Sequence, residues 1–421
     1  MQAYLKQVNA ALLAATGGAF GKLLQHNHPL LLKAARQCGG SSSSGGGGSS
    51  GSSSVSALTP VVTKALSGGD FANYAVVVAG VVVAVVGGSS GRAVDAFEAQ
   101  RSAFGAFVRL FQADSGRWLL DALHSLSTDL RICAERADVA IAAAAAGNGD
   151  VNERNKWECL EAAARELNKV FQSTVTDRAA ASVSKKWGAL DVTNSLFRVY
   201  FRLNNLRLCK NPIRAIESDG LKSFKEKYPL SQLVTYNFFK GRLSMFDNDF
   251  ESAASELLFA FENCSSKYKK NKKLILLYLV PVQLRLGRFP PKALLEKYDL
   301  SDKYSKIAAA IRLGKLDDFT AALAAHHEFF LRNGVYLILE QLRTLVYRNL
   351  FRAVHTVVGG TKLQLSFLQI SLSWLGSDID LDEIECLVAN LIYKGYIKGY
   401  LSHSHRTLVL SKNTPFPRIG Q

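Results

Sequence analysis

The sequence lacks the cysteine spacings that indicate a disulfide framework or a zinc site. Its six cysteines are scattered along the chain, and none forms a Cys-x-x-Cys pair. Isolated cysteines of this kind are typical of reduced intracellular proteins. A long apolar run is missing as well: the longest, Val76–Val86, has eleven residues, whereas a membrane-spanning helix needs about 17–25. The sequence therefore predicts no membrane-spanning segment.

Signatures of an enzyme are also absent. The sequence contains no P-loop, no Gly-x-Ser-x-Gly elbow and no His-Glu-x-x-His zinc motif. The pair His326 and His327 lies in a helical stretch, where a solvent or core environment is commoner than a metal. No carboxylate or cysteine accompanies His403 and His405, so a solvated or phosphate-facing tip is favoured over a metal site. We expect a non-enzymatic protein with no catalytic residue, cofactor or metal.

Acidic residues are scarce relative to basic ones. There are 35 Asp or Glu against 51 Lys or Arg, which gives a net charge of +16 over 421 residues. This surplus favours an acidic partner such as nucleic acid, an acidic protein or an anionic membrane face. A basic surface kept only for solubility is the alternative. The hydrophobic content of 48% excludes wholesale disorder and permits a large core.

The middle of the chain shows helical periodicity interrupted by tight turns. Residues 39–54 are sixteen consecutive Gly or Ser, typical of a flexible linker or loop insertion. In the Val-rich stretch 74–88 the β-branched residues favour a strand, but the flanking helical patterns argue for a buried helix. From Trp157 onward, helical hairpins recur, and Gly287 and Gly314 are expected to end helices in the left-handed conformation. Such hairpins predict a stacked solenoid, with an ordinary helical bundle as the alternative.

Capping signals define two of the helices. Asn248 and Glu251 have the spacing of a capping box, and so do Asp380 and Glu383. The helix after Asp380 has an apolar stripe, and the acids in its first turns suit the helix dipole. The stripe consists of Leu381, Ile384, Val388 and Leu391.

The last part of the chain changes from helical to alternating patterns. Residues 362–376 predict one short helix or two. The stretches 396–401 and 406–412 alternate as two short strands around the tip "SHSH". Tyr396, Lys398 and Tyr400 are expected on one strand face. Helices followed by such a hairpin predict a winged helix.

These patterns predict an all-α helical-repeat solenoid of TPR-like hairpins that ends in a C-terminal winged helix with a short β-hairpin. Four segments follow from the composition and periodicity. They are an N-terminal helix with the Gly/Ser-rich segment (1–54), N-terminal helical repeats (55–195), a main helical-repeat domain (196–360) and the winged-helix subdomain (361–421).

Four stretches of the chain resemble the PCI family, and in particular its subunit in the nuclear transcription-and-export complex 2. The likeness is dense from about Lys185 to Pro417 and weaker before it; the Gly/Ser tract and the Val-rich stretch depart from the family. The stretches are "YNFFKGRLSMFDNDFESAASELLFAFENC", "KNKKLILLYLVPVQLRLGRFP", "GVYLILEQLRTLVYRNLF" and "ANLIYKGYIKGYLSHSHRTLVLSKNTPFP".

The resemblance implies a scaffold or adaptor subunit that couples transcription to mRNA export. Its implied partners are a large scaffold subunit of the export complex and a small acidic disordered subunit shared with the proteasome lid. RNA, DNA or both are further expected partners, and a membrane is not. The implied location is the nucleus, in part at nuclear pores, with some protein in the cytoplasm. The alternative is a structural PCI subunit of a proteasome-lid-like or signalosome-like complex that binds no nucleic acid.

Two basic clusters are the candidate binding sites. Cations interleaved with aromatic residues suit nucleic acid, since rings stack on bases and cations pair with phosphates; contact with a neighbouring subunit is the alternative. The nucleic-acid candidates are Lys394, Tyr396, Lys398, Tyr400, His403, His405, Arg406, Lys412 and Arg418. The candidates for the acidic partner are Lys267, Lys269, Lys270, Lys272 and Lys273, with a solvated lysine-rich loop as the alternative.

Overall fold

The computed structural model describes residues 1–39, 55–66, 71–147, 157–218, 220–221, 224 and 227–419. Nearly all of the Gly/Ser segment predicted to be a linker lies outside the described residues. The chain forms two compact units, Met1–Tyr236 and Asn237–Gln421. The division into four segments stays a prediction.

The first unit is helical throughout its described part. Its α-helices are Gln2–Leu13, Gly17–Leu24, Pro29–Gly39, Val55–Ala65, Ala72–Ser89, Ala93–Ala113, Leu120–Gly147, Glu158–Val175, Ala189–Arg202 and Lys210–Ile216, with short 3-10 helices at Lys185–Gly188 and Leu206–Cys209. The helix Leu230–Phe246 crosses the boundary between the units.

The Val-rich stretch is a buried helix, which decides between its two sequence interpretations. Val77, Val78 and Val81 in the helix Ala72–Ser89 are fully buried. At Gly80 a Cβ atom would lie 2.7 Å from the Cβ of Ala103 in the next helix. The missing side chain therefore lets the two helices pack closely, and packing overrides the strand preference of valine.

The second unit continues the helical hairpins. Its α-helices before the winged helix are Phe250–Asn263, Lys269–Arg285, Lys292–Lys297, Ser301–Leu313, Leu316–Ala325, His327–Arg332, Tyr336–Gln341 and Arg343–Val358. Gly287 and Gly314 have φ of +72° and +75°, so the predicted left-handed turns are confirmed. Asp249, not Asn248, caps Phe250–Asn263 by accepting a hydrogen bond from the Ser252 amide; Asn248 is instead the left-handed residue of the turn.

The winged helix contains one strand more than the sequence predicts. Its elements are β1 (Lys362–Gln364), the helices Leu365–Trp374 and Leu381–Tyr393, β2 (Gly399–Ser402) and β3 (Thr407–Leu410). The sheet is antiparallel with the order β1-β3-β2. The first three residues of the predicted helical stretch 362–376 are therefore a strand. Ile384, Val388 and Leu391 are buried as predicted, while Leu381 is half-buried.

The helical repeats ending in a winged helix confirm the predicted fold class. Among the described residues, no helix combines the length and the apolar character that crossing a membrane would require.

Candidate functional site

The outer face of the winged-helix sheet brings two of the predicted residues together. The amide of Ser411 donates to the carbonyl of Lys398 at 2.9 Å, which extends the β2–β3 pairing to Lys398. Because side chains alternate along a strand, Lys398 and Tyr400 share one face. Tyr400 is 63% exposed, and Lys398 is exposed without an ion-pair partner among the described residues. This face therefore offers a cation beside an accessible aromatic ring.

Lys362 on β1 belongs to the same face but is not among the residues predicted from the sequence. The register pairs Lys362 with Val409, and Val409 with Tyr400, so the three side chains form a row across the sheet. Lys362 is exposed. A strand of three residues is too short to show a period of two, so only a search for a third strand pairing with 407–410 could have indicated it.

The hairpin tip is held by the acidic helix before it. His403 contacts Glu385 through Nδ1 at 2.7 Å. Arg406 forms ion pairs with Asp382 and with Glu385, the latter at 3.3 Å. These pairs neutralise part of the charge that the sequence assigns to the nucleic-acid site.

The acids at the start of this helix therefore have two uses. Asp380 accepts a hydrogen bond from the Glu383 amide at 2.7 Å, which confirms the predicted cap. Asp382 and Glu385 instead bind the hairpin tip, a contact that the helix-dipole interpretation does not anticipate. His405 is exposed beside this network.

Tyr396 does not lie on the predicted strand. Strand β2 begins at Gly399, and Tyr396 is half-buried in the turn before it. Its hydroxyl accepts a hydrogen bond from Arg285, whose guanidinium lies 5.6 Å from the tyrosine ring and 5.3 Å from that of Phe250. The Tyr396 side chain thus connects the winged helix to the helical repeats of the same unit, and the structure separates it from Lys398 and Tyr400.

The C-terminal segment, which carries Lys412 and Arg418, is docked along the helix Arg343–Val358. Arg348 donates to the carbonyl of Pro417 at 2.6 Å, and the ring of Phe416 lies 5.6 Å from that of His355. Burial, with a smaller contribution from Arg352, lowers the pKa of Arg348 to about 10. This docking fixes the path of the chain.

Three other predicted lysines and arginines remain open to solvent. Lys394, Lys412 and Arg418 are exposed, and no carboxylate forms an ion pair with them among the described residues. Unlike Lys398, they are not placed on the outer face of the sheet by the strand register.

The lysine-rich cluster at 267–273 also contains both lysines that have partners within the chain and lysines that are open to solvent. The helix begins at Lys269, so four of the five lysines lie in its first two turns without an acid in the first turn. Lys272 donates to the carbonyl of Phe261 at 2.9 Å, and Lys273 pairs with Asp299 at 2.7 Å. The three exposed members are Lys267, Lys269 and Lys270.

Histidine and cysteine side chains outside these clusters form no metal or nucleophile site among the described residues. No group of three or more His, Cys, Asp or Glu is placed to hold a metal ion in the part of the chain that the structure describes. His326 contacts Lys303 and the carbonyl of Asp302. Cys133 lies 3.9 Å from His26, but burial raises the pKa of this thiol to about 12. A thiol that stays protonated at neutral pH is a poor nucleophile.

Comparison with known proteins defines the class first: a PCI domain matches residues 323–412. The chain is 43% identical over 331 residues to the PCI domain-containing protein 2 homolog of Dictyostelium discoideum. The matched residues cover 77% of this chain and 74% of that protein. It is 42% identical to PCI domain-containing protein 2 of Xenopus laevis, over 78% of this chain and 80% of that protein. The chain therefore belongs to the PCI domain-containing protein 2 family.

A more distant relative is the protein CSN12 homolog of Schizosaccharomyces pombe (strain 972 / ATCC 24843), 35% identical over 64% of each chain. Proteins with a PCI domain act in multi-subunit complexes, generally as non-catalytic scaffold subunits.

Proposed function

We propose that the chain is a non-enzymatic subunit of a nuclear mRNA-export complex that couples transcription to export, and that its winged helix contributes to RNA or DNA binding. The observation that supports this most directly is the outer sheet face with Lys362, Lys398 and Tyr400. Exposed cations pair with phosphates, and an accessible tyrosine stacks on a base. The unpaired Lys394, Lys412 and Arg418 add positive charge in the same subdomain.

The proposal includes two protein partners. A large scaffold subunit of the export complex would hold the chain in the assembly. A small acidic disordered subunit, shared with the proteasome lid, would contact the cluster at 267–273. Since Lys272 and Lys273 already have partners within the chain, the available contacts are Lys267, Lys269 and Lys270. We propose nuclear residence, in part at nuclear pores, with some protein in the cytoplasm.

The nucleic-acid role is tested by measuring affinity for single-stranded RNA across a salt series. Each phosphate contact contributes about 0.7 to the slope of log affinity against log salt for a single strand. The double variant Lys362→Gln with Lys398→Gln should therefore flatten the slope by about 1.4. Arg406→Gln should change it less than either single lysine variant, because Asp382 and Glu385 already neutralise Arg406.

The matched control is Lys227→Gln with Lys306→Gln, which removes the same charge from two exposed positions elsewhere. This variant should keep the wild-type slope. If the control and the sheet-face variant flatten the slope equally, binding reflects only net charge. If neither changes it, the winged helix serves protein contacts, and the structural subunit of a proteasome-lid-like or signalosome-like complex becomes the better proposal.

A further inference from the structure

A second surface of the winged helix is apolar and open to solvent. On the helix Leu365–Trp374, Phe367 is 43% exposed, Ile370 65% and Trp374 85%. Their spacing of three and four residues places them on one face. We call these three residues the apolar stripe. Large apolar side chains exposed together in a folded protein indicate an interaction site.

The core does not require these side chains. Leu365, Leu368 and Leu372 occupy the opposite face of the same helix and are fully buried. The helix is therefore anchored without help from the apolar stripe. Aromatic side chains such as Trp374 are the residues that contribute most to binding energy at protein interfaces.

The chain around the apolar stripe is acidic, in contrast to the rest of the protein. Residues 363–393 contain five Asp or Glu and no Lys or Arg, in a chain with a net charge of +16. Asp382 and Glu385 are neutralised by the hairpin tip. Asp378 and Glu383 are exposed, and neither carboxylate has a cationic partner among the described residues. Two negative charges are thus available in the segment that follows the apolar stripe.

This combination selects one kind of partner. Nucleic acid, an acidic peptide and an anionic lipid surface would all be repelled by the unpaired carboxylates. A second copy of the same helix would bring acid against acid. A helix with an apolar face flanked by Lys or Arg satisfies both the apolar stripe and the charge.

We propose that the apolar stripe, together with Asp378 and Glu383, binds a basic amphipathic helix of a partner protein. The apolar stripe extends over eight residues, or about 10 Å at a rise of 1.5 Å per residue, so a partner segment of two to three turns would cover it. The inference does not depend on the nucleic-acid role, which uses the outer face of the sheet.

The probes are two labelled 18-residue helical peptides with the same leucine face, one flanked by Lys and the other by Glu, measured by fluorescence anisotropy at low salt. The Lys peptide should bind about tenfold more tightly than the Glu peptide, although the protein itself is basic. Phe367→Ser with Ile370→Ser and Trp374→Ser should weaken the Lys peptide about tenfold or more. Leu313→Ser with Leu337→Ser, which changes exposed leucines elsewhere, should leave it unchanged.

A second variant protects the test against a folding defect. Asp378→Asn with Glu383→Gln keeps the apolar stripe and should bring the affinities of the two peptides closer together. Thermal unfolding of each variant reports whether the fold is intact. The proposal is overturned if the stripe variant weakens the Glu peptide as much as it weakens the Lys peptide, because the apolar stripe would then not select a basic partner. It is also overturned if well-folded stripe variants bind the Lys peptide as wild type does.

Discussion

The helical repeats and the winged helix of the second unit use the same residue types differently. In the repeats, several cations contact aromatic rings within the fold: Lys272 lies 4.5 Å from the ring of Phe261, and Arg312 lies 4.7 Å from that of Phe289. In the winged helix, most of the predicted cations are exposed, and they form no ion pair with any residue that the structure describes. Arg406 is the exception, since it is tied to the acidic helix.

Turn glycines show the same contrast. A Cβ at Gly314 would collide with the backbone nitrogen of Leu350 and lie 2.9 Å from the carbonyl carbon of Asn349. At Gly376, between the two helices of the winged helix, no atom of the described residues lies within 4 Å of the same position. The turn at Gly314 is thus packed against the helix Arg343–Val358, whereas the turn at Gly376 is open.

The largest expected effect is the difference in stability between alanine variants of these two glycines. Both have φ near +75°, which costs an alanine about 1–2 kcal/mol. Gly314→Ala adds a backbone collision, and we expect a total loss of about 3 kcal/mol or more. Gly376→Ala should cost about 1 kcal/mol.

Thermal unfolding of the two variants measures the difference. One kcal/mol corresponds to roughly 2–4 °C for a domain of this size, so Gly314→Ala should melt several degrees below Gly376→Ala. Equal melting temperatures would mean that the helix Arg343–Val358 can move away from the turn without cost. The packing contrast between repeats and winged helix would then be wrong.

A smaller effect is expected at the cap of the helix Leu381–Tyr393. Asp380→Ala removes the hydrogen bond to the Glu383 amide and should lower the free energy of unfolding by about 1 kcal/mol. Asp380→Asn retains an acceptor and should stay close to wild type. Denaturant unfolding followed by circular dichroism measures both. If alanine and asparagine destabilise the protein equally, the charge of Asp380 matters rather than its capping bond.

Features that depend on residues close together in sequence could be predicted, whereas contacts between residues far apart in sequence could not. The Asp380 cap and the hairpin around 403–406 depend on neighbouring residues, and both are present. The contact of Arg285 with Tyr396 joins residues 111 positions apart, and no local pattern encodes it. The prediction that Tyr396 shares a strand face with Tyr400 was wrong for this reason.

Charge is also a poor guide until partners are known. Residues 386–421 contain five Lys or Arg and no Asp or Glu, yet Arg406 and His403 contact acids that precede them in sequence. Strand β1 has no local sequence signature, because its partner, β3, lies more than 40 residues later. The apolar stripe could not be recognised because apolar helical positions are usually buried, and only the fold shows which of them are exposed.

The smallest effect is expected in the lysine cluster at 267–273. It tests whether a lysine that already has a partner within the fold is unavailable to an acidic partner protein. Lys267→Gln with Lys269→Gln and Lys270→Gln removes three exposed charges that have no ion-pair partner in the described part of the chain. This variant should weaken binding of a 20-residue glutamate-rich peptide about threefold at low salt and hardly at all at high salt. Isothermal titration calorimetry at two ionic strengths measures the change.

The matched variant is Lys272→Gln with Lys273→Gln, which removes two lysines already engaged with Phe261 and Asp299. It should change peptide affinity less per charge than the first variant, because Asp299 already offsets one of the two charges. It should also lower the melting temperature, since the contacts with Phe261 and Asp299 join neighbouring elements of the repeats. If both variants weaken the peptide equally per charge, the cluster acts as a diffuse basic surface. Charge density alone, rather than the availability of individual lysines, would then determine acidic-partner binding.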